Sequence, residues 1–84
     1  MVKIKIMFLG EIARRAAIKE CHMDVSTDLE FAVNEVREVV ISRVGDNTLF
    51  SIIINGKSYA LMKESISKIV DGDVFAIVPV ILGG

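Results

Sequence analysis

The sequence predicts an α+β fold: a mixed sheet of four to five strands with one main helix packed on one face. Three observations carry this. Strand-length apolar runs stand at the start, in the middle and at the end of the chain. One stretch between them, and no other of that length, has apolar residues at helical spacing. Asn55-Gly56 separates two of the apolar runs, and both central positions of a type I′ hairpin turn need positive φ, which these two residues tolerate best.

Residues 2–9 alternate as a half-covered strand does. Val2, Ile4, Ile6 and Phe8 form one face, and Lys3, Lys5, Met7 and Leu9 the other. Gly10 breaks the run, Glu11 to Ala17 fits a helical turn, and Ile18 to Val25 alternates loosely as a second strand. Ser26-Thr27 reads as a helix start, because Thr27 and Glu30 have the spacing of a capping box. Leu29, Val33, Val36 and Val40, widened by Ala32 and Val39, then make one apolar stripe. The β-branched run Val39-Val40-Ile41 has low helix propensity and leaves the helix end open. Leu49 to Ile54 is a third strand, and Ser58 to Leu61 returns from the Asn-Gly turn as a short fourth. Met62 to Val70 connects, and Asp71-Gly72-Asp73 is a tight turn. Val74 to Val80 is a last strand, apolar on both faces as a central strand is, with Pro79 near its end where a missing amide matters least. The last strand is expected beside the first. One helix covers one face of such a sheet, so the other stays open.

The 84 residues suit one small domain, 1–84, with a short tail at 81–84. A domain of this size has too little interior for a composition that is 52% hydrophobic, so apolar surface is left for a partner. Ten basic and eleven acidic residues give a net charge of −1 and no basic stripe, which argues against nucleic acid as a partner. No run reaches the ~18–20 apolar residues of a membrane span, and the opening residues do not read as a secretory signal. The lone Cys21 makes no internal disulfide, so the expected location is the reducing cytoplasm.

The candidates for chemistry are few. Cys21 and His22 fall on opposite faces of a strand, with no second Cys or His, so they do not suggest a metal site. Asp71-Gly72-Asp73 is far shorter than a calcium loop of about twelve residues. Glu30, Glu35 and Glu38 read as a solvated helix face, and Arg14 and Arg15 as exposed. What remains is Gly83-Gly84. Glycine threads narrow channels and leaves a terminal carboxylate unhindered. Residues 79–84 reach at most about 20 Å past the sheet.

Ile52-Ile53-Ile54-Asn55-Gly56-Lys57, Val70-Asp71-Gly72-Asp73-Val74 and Pro79-Val80-Ile81-Leu82-Gly83-Gly84, in this order, resemble the β-grasp (ubiquitin-like) sulfur-carrier proteins of molybdopterin and thiamine biosynthesis. The first strand with Glu11-Ile12-Ala13 after it is similar to the molybdopterin-synthase small subunit. Val80 and Leu82 stand where that group carries a second proline and a small residue, and the 55–71 stretch is closer in length to the thiamine carriers. The pathway therefore stays open between molybdopterin, thiamine and thiolation of tRNA.

The resemblance implies a carrier rather than an enzyme. A ubiquitin-activating-type adenylating enzyme would use its own ATP and magnesium to activate the Gly84 carboxylate for conversion to a thiocarboxylate, while this chain holds no cofactor. Leu82 and Gly83 would thread the partner's channel. Sulfur would pass to a synthase subunit or a thiazole synthase. Met7, Leu9, Ala76 and Val78 would line the docking face, with Phe75 and Ile77 turned towards the helix. Two alternatives stand beside this: a ubiquitin-like modifier joined to lysines through Gly84, and a β-grasp interaction domain whose glycines carry no chemistry.

Overall fold

A computed structural model describes residues 1–62 and 68–80. The elements run β1 (Val2–Phe8), α1 (Gly10–Ala16), β2 (Glu20–Val25), α2 (Leu29–Val44), β3 (Phe50–Ile54), β4 (Lys57–Ser58), α3 (Tyr59–Met62) and β5 (Val74–Pro79). The strands form one mixed sheet in the order β2-β1-β5-β3-β4. β1 and β5 lie parallel at its centre, and the other pairs are antiparallel. The first and last strands are thus neighbours, as their apolar sequences imply.

The core lies between the sheet and α2. Ile4, Ile6 and Phe8 of β1, Ile52 and Ile54 of β3 and Phe75 and Ile77 of β5 meet Leu29, Ala32, Val33, Val36 and Val40 of α2. Ile12 and Ala16 of α1 close one end. Among the described residues no polar or charged side chain is buried, so the interior is held by apolar packing alone.

The boundaries depart from the sequence reading where tertiary contacts outweigh local signals. The capping box of Thr27 and Glu30 does not form. Asp28 is the N-cap, and its Oδ2 accepts from the Phe31 N–H at 3.2 Å. The Thr27 carbonyl instead accepts the Ile69 N–H at 2.7 Å, and Asp28 bridges Lys68, so the backbone stays extended one residue longer. At the other end α2 continues through Val39-Val40-Ile41 because Val40 and Val44 are buried beneath it. Gly45, at φ 91°, stops it. The fourth strand is only Lys57–Ser58, and Tyr59–Met62 coils into a helical turn that buries Met62. The first helical turn is a seven-residue helix, closed by Ala17 in the left-handed region at φ 60°.

The two turns flagged by the sequence do more than reverse the chain. Asn55 and Gly56 take φ 50° and 86°, as the hairpin requires. The Asn55 side chain then reaches across to β5: its Oδ1 accepts the Val74 N–H at 2.9 Å, and its Nδ2 donates to Asp73 Oδ1 at 2.9 Å. Asp73 Oδ2 accepts the Val70 N–H at 3.0 Å, and Asp71 Oδ1 accepts the Lys3 N–H at 2.8 Å. The start of β5 is therefore tied to both of its neighbours. Since a slip of one residue would exchange the two faces of β5, this clasp fixes which of its side chains meet the helix.

Candidate functional site

The face of the sheet away from α2 is uncovered by the described helices. Its side chains follow from the register. Met7 stands beside Ala76, and Ala76 beside Ile53, so these three form one row across the middle of the sheet. Val74 and Val78 extend it along β5, with Ser51 beside Val78. Met7, Ile53, Val74, Ala76 and Val78 are all half-buried, whereas Phe75 and Ile77 are wholly in the core. Leu9 keeps extended dihedrals one residue past β1, where its N–H donates to the Ile77 carbonyl at 3.0 Å, and it is 39% exposed.

The structure thus brings Met7, Leu9, Ala76 and Val78 to one side of the sheet. It adds Ile53, which sequence reasoning missed. Ile52-Ile53-Ile54 is apolar at every position, so no alternation marks the middle residue as the outward one. The pairing of Ile53 with Ala76 does. Lys3, Lys5, Glu20, His22 and Asp24 border the strip on the β1–β2 side, with Lys5 Nζ 3.2 Å from Glu20 Oε2. Ser51 and Ser58 border it on the other. The strip is apolar, and its rim carries charges of both signs.

Leu82, Gly83 and Gly84 lie outside the described residues, but their departure point is defined. Pro79 sits against Gly10, where a Cβ would come 3.5 Å from the proline Cγ, and the Val80 N–H points to the Leu49 carbonyl at 3.4 Å. Glu11, Ile12, Arg15, Thr48 and Leu49 line a shallow cleft beside Pro79 and Val80. Arg15 donates to Thr48 Oγ1 at 3.1 Å, and that hydroxyl donates to the Val44 carbonyl at 2.8 Å. Arg14 pairs with Glu11 through both guanidinium nitrogens that face it. This pairing holds the Glu11 carboxyl below the usual carboxylate range and raises Arg14. Arg14 and Arg15 are both exposed, as the sequence reading has them, and Arg15 lines the cleft beside Pro79 and Val80.

The remaining candidates find structural roles. Asp71 and Asp73 spend their carboxylates on the clasp. Cys21 faces the core side beside Ile6, and His22 the open side beside Lys5, so the strand holds them apart. Among the described residues, no three His, Cys, Asp or Glu side chains gather closely enough to hold a metal ion. Nor is any described helix long and apolar enough to cross a membrane.

Neither a family model nor a curated protein matches this sequence. Solved structures do. A putative molybdopterin converting factor subunit 1 from Pyrococcus furiosus superposes with a TM-score of 0.68 at 16% identity, covering 96% of this chain and 100% of that one. Small archaeal modifier protein 1 from Methanosarcina acetivorans gives 0.68 at 14%, covering 100% and 98%. Urm1 from Sulfolobus solfataricus gives 0.64 at 21%, covering 90% and 99%. The chain has the ubiquitin-like β-grasp fold. At these identities the likeness establishes the β-grasp architecture over nearly the whole length of each chain.

Proposed function

We propose that this β-grasp protein is a sulfur carrier whose Gly84 carboxylate is the reacting group. One observation carries the reading: Gly83-Gly84 follow within five residues of Pro79, the last residue of a central strand whose outer face is an uncovered apolar strip. A molybdopterin converting factor subunit among the structural neighbours supports it. The strip of Met7, Ile53, Ala76 and Val78, with Leu9 beside it, docks a ubiquitin-activating-type adenylating enzyme, and the tail enters that enzyme's active site.

A carboxylate resists nucleophiles until one oxygen becomes a leaving group. The Gly84 carboxylate attacks the α-phosphorus of ATP held with magnesium by the partner, and pyrophosphate leaves. The terminal sulfur of a persulfide then attacks the acyl-adenylate carbonyl, and AMP leaves. Cleavage of the resulting S–S bond by a thiol frees the thiocarboxylate. This chain contributes the carbonyl, the unhindered glycine approach and the docking face. A synthase subunit or thiazole synthase receives the sulfur, for molybdopterin, thiamine or a thiolated tRNA.

The second reading, a protein modifier joined to lysines through Gly84, is favoured by the neighbours named as small archaeal modifiers. The two share the adenylation step and part at the nucleophile. The test is intact mass after incubation with ATP, magnesium, a cognate adenylating enzyme, a persulfide donor and a thiol to cleave the S–S bond. Exchange of oxygen for sulfur at the activated carbonyl adds about 16 Da. Lysine conjugates that disappear on deletion of Gly84 would instead support the modifier. Retention of full function by the deleted chain would refute both.

A further inference from the structure

The sheet has two edges. One is the two-residue β4, and the other is β2, six residues paired with β1 in unbroken register from Val2↔Val25 to Met7↔Glu20. A long, regular edge strand templates further pairing unless proline, a bulge or charged side chains blunt it. Glu20-Cys21-His22-Met23-Asp24-Val25 has no proline and no bulge, and its charges, Glu20 and Asp24, admit only a partner strand that sets neither opposite a like charge.

The direction of its free groups can be read from one bond. The Phe8 N–H donates to the Lys19 carbonyl at 2.9 Å, so residues 19, 21, 23 and 25 turn their backbone groups inward to β1. Glu20, His22 and Asp24 turn theirs outward, and no backbone partner for them is found among the described residues. The ladder ends at Ser26, whose N–H is already taken by Glu35 Oε1 at 2.9 Å. The same bond locates a flank of α2. Phe31 is one helical turn before Glu35, so it lies on the flank adjoining the end of β2, and it is 64% exposed. Cys21 and Met23, half-buried on the helix side of the edge, complete an apolar border.

We propose that β2 pairs antiparallel with β2 of a second copy of this chain about a two-fold axis at Met23, making one continuous sheet. The axis must pass through a residue if the helix sides of both sheets are to remain on one side. Centring it on His22 sets Glu20 opposite Asp24 of the second copy twice over, and like charges directly opposite are unfavourable. Centring it on Met23 sets His22 opposite Asp24 of the second copy, where their outward N–H and C=O groups bond in both directions, and repeats that rung by symmetry. It also places Met23 against Met23 and Cys21 against Val25 of the second copy on the helix side. Centring it on Cys21 also sets Glu20 opposite His22 of the second copy, but then only residues 20–22 of each strand face one another, against 21–25 about Met23. The pairing leaves β5 and its tail free, so it stands independently of the sulfur-carrier reading.

Sedimentation equilibrium of the full chain reads the first consequence: mass rises from one chain to two with concentration. A monomer at every concentration up to the millimolar range overturns the proposal. Asp24→Lys weakens the dimer by roughly tenfold, because both rungs lose the carboxylate that faces the His22 imidazole, and adding His22→Asp restores a matched pair. Failure of that rescue counts against the register. Cross-linking checks it separately. In a Cys21→Ser background, Met23→Cys places two thiols at about 4.5 Å between Cα atoms, within disulfide reach, whereas His22→Cys places them roughly 7–8 Å apart, beyond it. Oxidation should join chains through position 23 and not 22. The opposite result assigns the His22-centred register and overturns this one.

Discussion

Replacing Asn55 with alanine tests whether the clasp at the start of β5 stabilises the protein. Asn55 accepts the Val74 N–H and donates to Asp73, each at 2.9 Å, and holds φ at 50°. The site is exposed, so water replaces part of what is lost, and each bond is worth about 0.5–1 kcal/mol. Alanine in the left-handed region costs about 1 kcal/mol more. The expected loss for Asn55→Ala is about 2–3 kcal/mol, which lowers Tm by roughly 10–20 °C in a domain of this size. Asn55→Gly separates the two contributions. Glycine takes positive φ freely but makes neither bond, so it should lose about 1–2 kcal/mol only. Urea unfolding of the parent and both variants, with unchanged slopes, reads these differences. The reasoning is refuted if Asn55→Ala lies within about 0.5 kcal/mol of the parent. Equal losses for alanine and glycine would remove the backbone part of the argument.

Three further outcomes follow from the packing and charge. Ala17 closes α1 at φ 60°, so Ala17→Gly should raise stability by about 0.5–1 kcal/mol, seen as a higher urea midpoint; a lower midpoint contradicts this. Phe75→Ala empties a wholly buried site between sheet and helix and should cost about 3–5 kcal/mol, while Ala76→Ser on the open face stays within about 0.5 kcal/mol, with thermal melts showing the contrast. Hydrogen bonding from Ser26 lowers the Glu35 pKa from the usual 4.5, so the ionised form is favoured on folding. Its stabilising effect is complete above the unfolded value and lost as pH falls through the folded one. Urea midpoints of the parent and Glu35→Ala between pH 6 and pH 3 should therefore converge at the acid end, and a gap that persists there rules the linkage out.

Much of the fold is legible because its periodicities are local. The alternation of Val2 to Phe8, the stripe from Leu29 to Val40 and the Asn55-Gly56 turn each carry their own signal, and each element forms. Boundaries depend on partners that are distant in sequence. Thr27 yields the helix start to Asp28 because Ile69 claims its carbonyl, and α2 runs on to Val44 because the core lies beneath it. Strand four shortens because Met62 is drawn inward by coiling. The same division holds at the candidate site. Phe75 and Ile77 against Ala76 and Val78 follow from alternation once the register is fixed, but Ile53 is hidden within three isoleucines and emerges only from its pairing with Ala76. Leu82, Gly83 and Gly84 carry the chemical argument through sequence alone.

The parallel pairing of β1 with β5 also decides how the molecule responds to traction. With the protein held at Val2 and pulled along the segment after Pro79, the load runs lengthwise through two adjacent strands pointing the same way. Every rung between Lys5↔Val74 and Phe8↔Ile77 then resists in shear at the same moment, rather than opening one after another. A machine that hauls on this chain from its last strand meets the sheet at its strongest orientation. The same force applied across β2, at the edge, would peel the molecule apart rung by rung. Single-molecule extension in the two geometries should give a higher peak force for the first.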